Sequence, residues 1–157
     1  MPEISIIIPT INEANNLPLL LSDLSILNKH GEIIIVDGGS KDRTIDVAQI
    51  YGAKVFKSKE KNRGLQLHIG AENSTGDWLI FLHADTRLTH DYLTKIRSVF
   101  GGDKNCIYYF KFKINDKKII YRVLEILVNF RSHHFKQPYG DQGLIIHRSA
   151  YFKNKGF

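Results

Sequence analysis

The stretch GDWLIFLHADTRL, residues 76–88, decides the class of fold. Its apolar run over residues 78–82 is uninterrupted, which is typical of a strand covered on both faces, as the strands of a parallel sheet are. The run ends abruptly in His83, Ala84 and Asp85. Because ligands of open parallel sheets bind beyond the carboxyl ends of the strands, Asp85 is a candidate ligand contact. The alternative is that Asp85 caps the turn that follows.

Strand and helix signals alternate along the rest of the chain. Apolar runs predict further strands over residues 4–8, 32–36, 54–57 and 144–147, and an alternating pattern predicts one over 107–114. Helical spacing predicts helices over residues 17–27, 45–51, 64–73, 91–100 and 117–130. Because parallel strands need crossover connections, we predict an α/β fold with a mostly parallel central sheet and helices on both faces. No internal repeat is present, so we expect a single domain over residues 1–157.

The composition is that of a globular protein, with 43% hydrophobic and 24% charged residues. Lys and Arg outnumber Asp and Glu by 22 to 16, a net charge of +6 that favours anionic partners. The basic residues match no nucleic-acid-reading motif, so nucleic acid is not an expected partner. Cys106 is the only cysteine, which fits a reducing, cytoplasmic location.

Polar residues also follow the first two predicted strands. PTINE, residues 9–13, follows the first, and DGGS, residues 37–40, follows the second. A carboxylate followed by glycines is typical of a nucleoside site, but Asp37 is equally suited to cap a glycine-rich turn. Arg63 and Gln66 lie where a helix begins and either face phosphates or form an ordinary solvated terminus. The GxGxxG and GxxxxGK[ST] phosphate loops are absent.

Five segments, in order and at typical spacing, resemble the family 2 glycosyltransferases, and within them a bacterial subgroup whose metal-site motif reads HAD. The segments are IIIPTINE, IIIVDGGSKDRT, KNRGLQLHIGA, GDWLIFLHADTRL and YGDQGLIIHRSAYFKNKGF. The resemblance implies a Rossmann-like GT-A fold that binds a nucleotide-diphosphate-sugar at the carboxyl ends of the strands. It also implies a divalent metal, Mn²⁺ or Mg²⁺, and inverting transfer of the sugar to an acceptor hydroxyl.

The resemblance also assigns site residues. The implied nucleotide-sugar site comprises Pro9, Thr10, Asn12, Glu13, Asp37, Gly38, Arg63, Gln66 and Asp85. The family's metal motif is a pair of aspartates separated by one residue, and His83 stands here in place of the first. Asp85 matches the second and is expected to contact the metal or the ribose. His83 either ligates the metal as a neutral imidazole or has only a packing role in the fold.

The resemblance does not match the catalytic base to a motif of this chain. The family resemblance places it in an acidic motif shortly after a GGF-like segment, but this chain reads NKGF and stops, so it looks truncated and its domain incomplete. Asp141 is the remaining candidate base, or it shapes the acceptor pocket. The alternative functions are an inert nucleotide-sugar-binding module and one part of a split transferase, completed by a partner chain or by oligomerisation. A nucleotidyltransferase shares the same architecture.

The segment KKIIYRVLEILVNFRSHHFK, residues 117–136, bears on the unidentified acceptor. It combines an apolar helical face with Lys117, Lys118, Arg122 and Arg131. Such a helix fits the anionic inner face of a membrane beside a lipid-linked acceptor. Packing against the sheet or a partner subunit is the favoured interpretation, since amphipathic helices are ordinary.

Overall fold

The computed structural model describes residues 3–27, 31–89, 91–114, 116–135 and 142–156. The strands within them are β1 (Ile4–Thr10), β2 (Gly31–Asp37), β3 (Lys54–Lys57), β4 (Trp78–Phe81), β5 (Ile107–Tyr109) and β6 (Leu144–His147). The helices are α1 (Leu17–Leu24), α2 (Thr44–Ile50), α3 (Arg63–Glu72), α4 (Tyr92–Val99), α5 (Ile119–Phe135) and α6 (Arg148–Lys153). A 3-10 turn, Ser25–Leu27, follows α1.

The strands form one sheet in the order β3-β2-β1-β4-β6-β5. Strands β1 to β4 pair in parallel, whereas β6 runs antiparallel to both β4 and β5. The predicted mostly parallel α/β sheet is therefore confirmed. The chain builds outward from β1 through β2 to β3 and then crosses back to place β4 on the other side of β1. The winding thus reverses between β1 and β4.

Helices cover both faces of the sheet. On β1, Ile6 packs into a cluster with α1, α2 and α4, and Ile7 packs into a second cluster with α3 and α6. Both isoleucines are fully buried. This two-sided burial explains why the central strands read as uninterrupted apolar runs. Helix α3 lies so close to β1 that a Cβ atom at Gly70 would clash with Ile7 Cγ2.

The structure differs from the predictions mainly after α4. The strand predicted over residues 107–114 ends at Tyr109, because the backbone beyond it bonds to side chains of α5 instead of to a strand. The Phe112 amide donates to Asn129 Oδ1 at 2.9 Å. Helix α5 extends to residue 135 rather than ending at 130, and the sequence patterns missed α6, in which the His147 side chain accepts from the Ser149 amide.

A polar cluster closes the amino ends of β1 and β2. The Glu32 carboxylate accepts from Ser5 Oγ at 2.5 Å and from the Thr75 amide at 2.6 Å, and Lys54 Nζ lies 2.6 Å from its other oxygen. Burial of this carboxylate opposes its ionisation, but the ammonium and the hydrogen-bond donors outweigh burial and lower the pKa of Glu32 to about 2. Both oxygens of the Glu32 carboxylate thus have partners within the protein, and the cluster stabilises this end of the sheet.

Candidate functional site

The polar loops that follow β1, β2 and β4 meet at the carboxyl edge of the sheet. The register sets Thr10 level with Asp37 and Ile7 level with Phe81. The chain runs on from Phe81 into His83 and Asp85 at that same edge. The direction in which strands are added to the sheet reverses between β1 and β4, and ligands of open α/β sheets bind beyond the strand ends at such a point.

The loop after β1 is joined to the loop after β2 through Asn12. This residue has a φ of 57°, a left-handed conformation that asparagine tolerates better than most residues. Its amide donates to Ser40 Oγ at 2.9 Å, and its Oδ1 accepts from the Lys41 amide at 2.8 Å. The Glu13 amide donates to Thr44 Oγ1 at 2.8 Å. The two loops therefore form one bonded unit.

Asp37, at the end of β2, is 1% exposed and binds its own turn. Its Oδ2 accepts from the Gly39 and Ser40 amides, both at 2.9 Å. Its Oδ1 accepts from the Ser40 hydroxyl and, at 3.4 Å, from Thr10 Oγ1. The capping interpretation of Asp37 thus describes the observed geometry. A nucleobase or ribose bound here would hydrogen-bond to a carboxylate that already accepts the hydrogen bonds of its own loop.

Gln66, from α3, links the ends of the two central strands. Its side chain is 5% exposed, and its Nε2 donates to the Thr10 carbonyl at 3.0 Å and to the Val36 carbonyl at 2.7 Å. A Cβ atom at Gly38 would stand 3.1 Å from this amide nitrogen, which gives Gly38 a packing reason to be glycine. The structure thus uses the Gln66 amide to hold the strand ends.

Arg63 begins α3 at the same edge. The Asn62 side chain caps the helix by accepting from the Leu65 amide at 3.1 Å. The Arg63 side chain is exposed and forms no ion pair within the described part of the chain. A cation beside the positive end of a helix dipole favours an anionic ligand there.

Asp85 and His83 lie in a tight turn after β4, in which the Thr86 amide donates to the His83 carbonyl at 3.1 Å. His83 is half-buried and Asp85 is exposed. Among the described residues, nothing donates a hydrogen bond to the Asp85 carboxylate. Asp85 therefore does not cap the following turn, which was the alternative interpretation. The nearby Leu88 amide donates instead to Asp23 at 3.1 Å.

A pair of charged residues holds that turn against α1. Arg87 binds Asp23 in a fork, with Nε 2.8 Å from one carboxylate oxygen and the second nitrogen 3.1 Å from the other. The sequence patterns did not reveal this pair, since 64 positions separate its members and neither belongs to a local motif. The fork fixes the segment immediately after Asp85.

The described residues contain no group of three or more His, Cys, Asp or Glu side chains placed to hold a metal ion. Asp85 and His83 supply two potential ligands from one turn. Magnesium-type sites often use one or two carboxylates and complete the shell with substrate phosphates and water. The residues present thus fit a cation that arrives with a diphosphate, rather than one caged by protein alone.

The last candidate residue, Asp141, lies outside the described residues. Its neighbour Gln142 is 3% exposed, and the Gln142 carbonyl accepts from the Phe110 amide at 3.1 Å. Strand β6 pairs Leu144 with Phe81 in antiparallel fashion, so residues 142–143 enter the sheet from the edge that bears Asp85.

This geometry defines an α/β protein with an exposed carboxylate at a topological switch point of its sheet. The sequence profile of glycosyl transferase family 2 matches residues 5–155, nearly the whole chain. The chain therefore belongs to glycosyl transferase family 2, as its motifs predicted.

Two similar proteins of known name are also glycosyltransferases. Over 96 residues the chain is 38% identical to a 4,4'-diaponeurosporenoate glycosyltransferase of Staphylococcus haemolyticus, which covers 57% of this chain and 26% of that protein. Over 108 residues it is 35% identical to a PGL/p-HBAD biosynthesis glycosyltransferase of Mycobacterium bovis, covering 64% of this chain and 42% of that protein. The chain spans less than half the length of these relatives.

Solved structures share the fold. Residues 1–349 of TarS from S. aureus superpose with a TM-score of 0.76 at 19% identity, covering 99% of this chain and 49% of that chain. The mannosyltransferase PcManGT of Pyrobaculum calidifontis, solved with GDP-Man and Mn²⁺, superposes with a TM-score of 0.72 at 16% identity, covering 99% and 47%. These likenesses confirm the predicted GT-A type of α/β fold.

Proposed function

We propose that this chain binds a nucleotide-diphosphate-sugar in the crevice between β1 and β4 and transfers the sugar to an acceptor hydroxyl with inversion. One observation carries the proposal. Asp85 is exposed at the point where the winding of the sheet reverses, with no hydrogen-bond donor satisfying it among the described residues. Ligands of such sheets bind at that point. Membership of a glycosyltransferase family supplies the class of ligand.

The site residues divide into two groups with different tasks. The first group frames the crevice: residues 9–13, Asp37, Gly38 and Gln66 form the bonded wall against which the nucleoside lies. Asp37 and the backbone of this wall are already fixed, so little ordering is needed when the ligand arrives. The second group, Asp85, His83 and Arg63, provides the charge that meets the diphosphate and its cation.

A divalent cation fits the second group. Asp85 supplies the carboxylate ligand, and His83 is placed two residues earlier in the same turn. When bound, such a cation neutralises charge that develops on the departing diphosphate. A protein of the same fold has been solved with GDP-Man and Mn²⁺, and TarS has been solved with UDP-GlcNAc, which supports a nucleotide sugar and a cation as the ligands here.

Inverting transfer needs a base that takes the proton of the acceptor hydroxyl as its oxygen attacks the anomeric carbon. Asp141 remains our proposed base, since it precedes the residues that enter β6 at the edge bearing Asp85. The alternative is that this chain binds the donor without transferring it, either as an inert module or as one part of a split transferase.

A donor screen tests the proposal. The melting temperature of the chain is measured with UDP, GDP, TDP and their common sugars, each with and without Mn²⁺. A ligand that binds the native state raises the melting temperature. We expect one nucleotide series to give a clear rise that is larger with Mn²⁺. No rise with any nucleotide would refute the proposal.

Release of free nucleoside diphosphate from the preferred donor then separates the two functions. An active transferase slowly hydrolyses its donor with water as acceptor, and Asp141→Asn should abolish that hydrolysis while the melting-temperature shift persists. Donor binding without any hydrolysis would favour the inert or split alternative. Binding with hydrolysis unaffected by Asp141→Asn would remove Asp141 as the base.

A further inference from the structure

Helix α5 turns its apolar residues away from the protein. Seven large apolar side chains on it are between 43% and 82% exposed. They are Ile119, Ile120, Val123, Leu124, Ile126, Leu127 and Phe130. At 100° per residue these positions share one arc of about 160° of the helix surface. An ordinary amphipathic helix buries such an arc against its own core. Of the favoured interpretation, packing of this face against the sheet is therefore wrong for the described residues, whereas packing against a partner subunit stays a prediction.

The side of α5 that meets the protein is polar. Asn129 Nδ2 donates to the Phe112 carbonyl at 2.9 Å, and the Ile114 amide donates to Glu125 Oε1 at 2.5 Å. Arg122 donates to the Ile114 carbonyl at 2.7 Å. These bonds hold the helix on the segment that precedes it. The outward direction of the apolar face is therefore fixed by specific contacts.

The charge around this face is strongly basic. Residues 111–134 contain six Lys and Arg residues against two acidic ones, a net charge of +4 out of the +6 of the whole chain. One of the two acids, Glu125, is paired with Arg122 at 2.7 Å. Lys111, Lys117 and Lys118 are exposed. Four of the six net positive charges of the chain thus fall in the segment that carries this exposed apolar face.

The two lysines before α5 do not serve the helix itself. Cations at a helix N-terminus oppose the helix dipole. Asp116, whose carboxylate accepts from the Lys118 amide at 2.9 Å, balances only one of the two lysines, and the first turn of α5 contains no further acidic residue. A surface that joins an apolar stripe to flanking lysines is complementary to the acyl and anionic headgroup layers of a bilayer. A second copy of this chain would bring the same positive charge against itself.

We propose that the apolar face of α5, with Lys117 and Lys118 immediately before it, docks on an anionic phospholipid surface. The helix lies in the plane of the interface. Among the helices that the structure describes, none combines the length and the apolar character that a membrane span needs. The proposal does not depend on the identity of the sugar donor.

Vesicle sedimentation tests this surface. The chain is mixed with vesicles of equimolar phosphatidylglycerol and phosphatidylcholine, and separately with vesicles of phosphatidylcholine alone. We expect binding to the anionic vesicles that weakens with added salt, since salt screens the lysines. Ile126→Glu should lower the partition onto these vesicles about tenfold or more, because it removes buried apolar area from the contact.

A matched control exists on α2. Ile50 is 77% exposed and Ile126 is 68% exposed, so Ile50→Glu makes the same chemical and charge change at a comparably exposed site. It should leave vesicle binding at the wild-type level. Replacing Lys117 and Lys118 together by Glu should lower binding to the anionic vesicles about tenfold. Ile119→Glu serves as a second apolar variant if Ile126→Glu does not fold.

Three results would overturn the proposal. The first is wild-type chain that stays in the supernatant with both vesicles. The second is Ile50→Glu weakening binding as much as Ile126→Glu. The third is a wild-type dimer in sedimentation equilibrium that Ile126→Glu converts to monomer without any vesicle binding, which would assign the face to a second copy.

Discussion

The two edges of the sheet each hold a carboxylate in place, Glu32 at the amino edge and Asp37 at the carboxyl edge. Both are buried by their neighbours, and both accept several hydrogen bonds. The edges differ in what lies beside these carboxylates. Flanking β4, Asp77 lies at the amino edge and Asp85 at the carboxyl edge, and both are exposed. Only Asp85 lies where the winding reverses.

This comparison shows that a satisfied carboxylate is not by itself a sign of function. Glu32 and Asp37 both stabilise loops, and their local chemistry is similar. What marks the carboxyl edge is topology, because the order of the strands reverses between β1 and β4 and ligands bind beyond the carboxyl ends at such a point. Asp85 and Arg63 also carry opposite charges at this edge that the described structure does not neutralise.

The largest effect on stability is expected from Asp37→Ala. The change leaves the Gly39 and Ser40 amides without their acceptor, at a cost of about 3 kcal/mol in the free energy of unfolding. It should also weaken nucleotide binding with or without Mn²⁺, because the wall of the crevice loses its shape. Urea denaturation and calorimetry check both effects. Asp46→Ala, at an exposed site on α2, is the control and should be nearly neutral. An Asp37→Ala chain as stable as the control would contradict the account.

At the amino edge, Gly76→Ala should cost about 2 kcal/mol through overpacking. A Cβ atom there would stand 2.7 Å from the backbone of Ile4 and Ser5, which cannot move without disturbing β1. Gly101→Ala is the control, since nothing lies within 4 Å of its Cβ position. Urea denaturation measures the difference. Nucleotide affinity measured where both variants are folded should stay at the wild-type level, and a loss in Gly76→Ala alone would show that the edges are not independent.

A smaller, pH-dependent effect is expected from Glu32→Gln. The folded pKa of Glu32 is about 2, below its usual value of 4.5, so its ionised form contributes stability above pH 4.5 that is lost as the pH falls toward 2. We expect wild type to exceed the variant by about 1 to 2 kcal/mol at neutral pH, because Lys54 is half-exposed and its attraction is partly screened. The gap should close between pH 4.5 and 2 in urea titrations. A gap that does not change with pH would show that the carboxylate charge is not its source.

The sequence predicted the strands best where both faces of the sheet are covered, because such strands are continuous apolar runs. The runs around Ile6 and Leu79 are apolar because both sheet faces are covered, so these strands and the mostly parallel sheet could be predicted. The order of the strands could not. The segment over residues 107–114 was misjudged because its backbone bonds to Asn129 and Glu125, which follow it in the chain. Periodicity does not reveal a contact of that kind.

The candidate site was predictable in place but not in detail. Strand ends located Asp37 and Asp85, since the carboxyl ends of parallel strands share an edge. The sequence predicts that Gln66 either faces a phosphate or lies in a solvated helix terminus, whereas the structure buries its side chain and directs its amide to two strand carbonyls. The Arg87–Asp23 fork was missed, because such contacts depend on how α1 docks on the sheet. The outward apolar face of α5 was likewise visible only from packing.

The most direct test of the donor site compares Asp85→Asn with Asp77→Asn, which change one exposed carboxylate at each end of β4. Calorimetry measures binding of the preferred nucleoside diphosphate with and without Mn²⁺. The account predicts that Asp77→Asn binds as wild type does, whereas Asp85→Asn loses about a hundredfold in affinity with Mn²⁺ and little without it. Equal, Mn²⁺-dependent binding by both variants would contradict the assignment of Asp85 and, with it, the proposed cation and donor site.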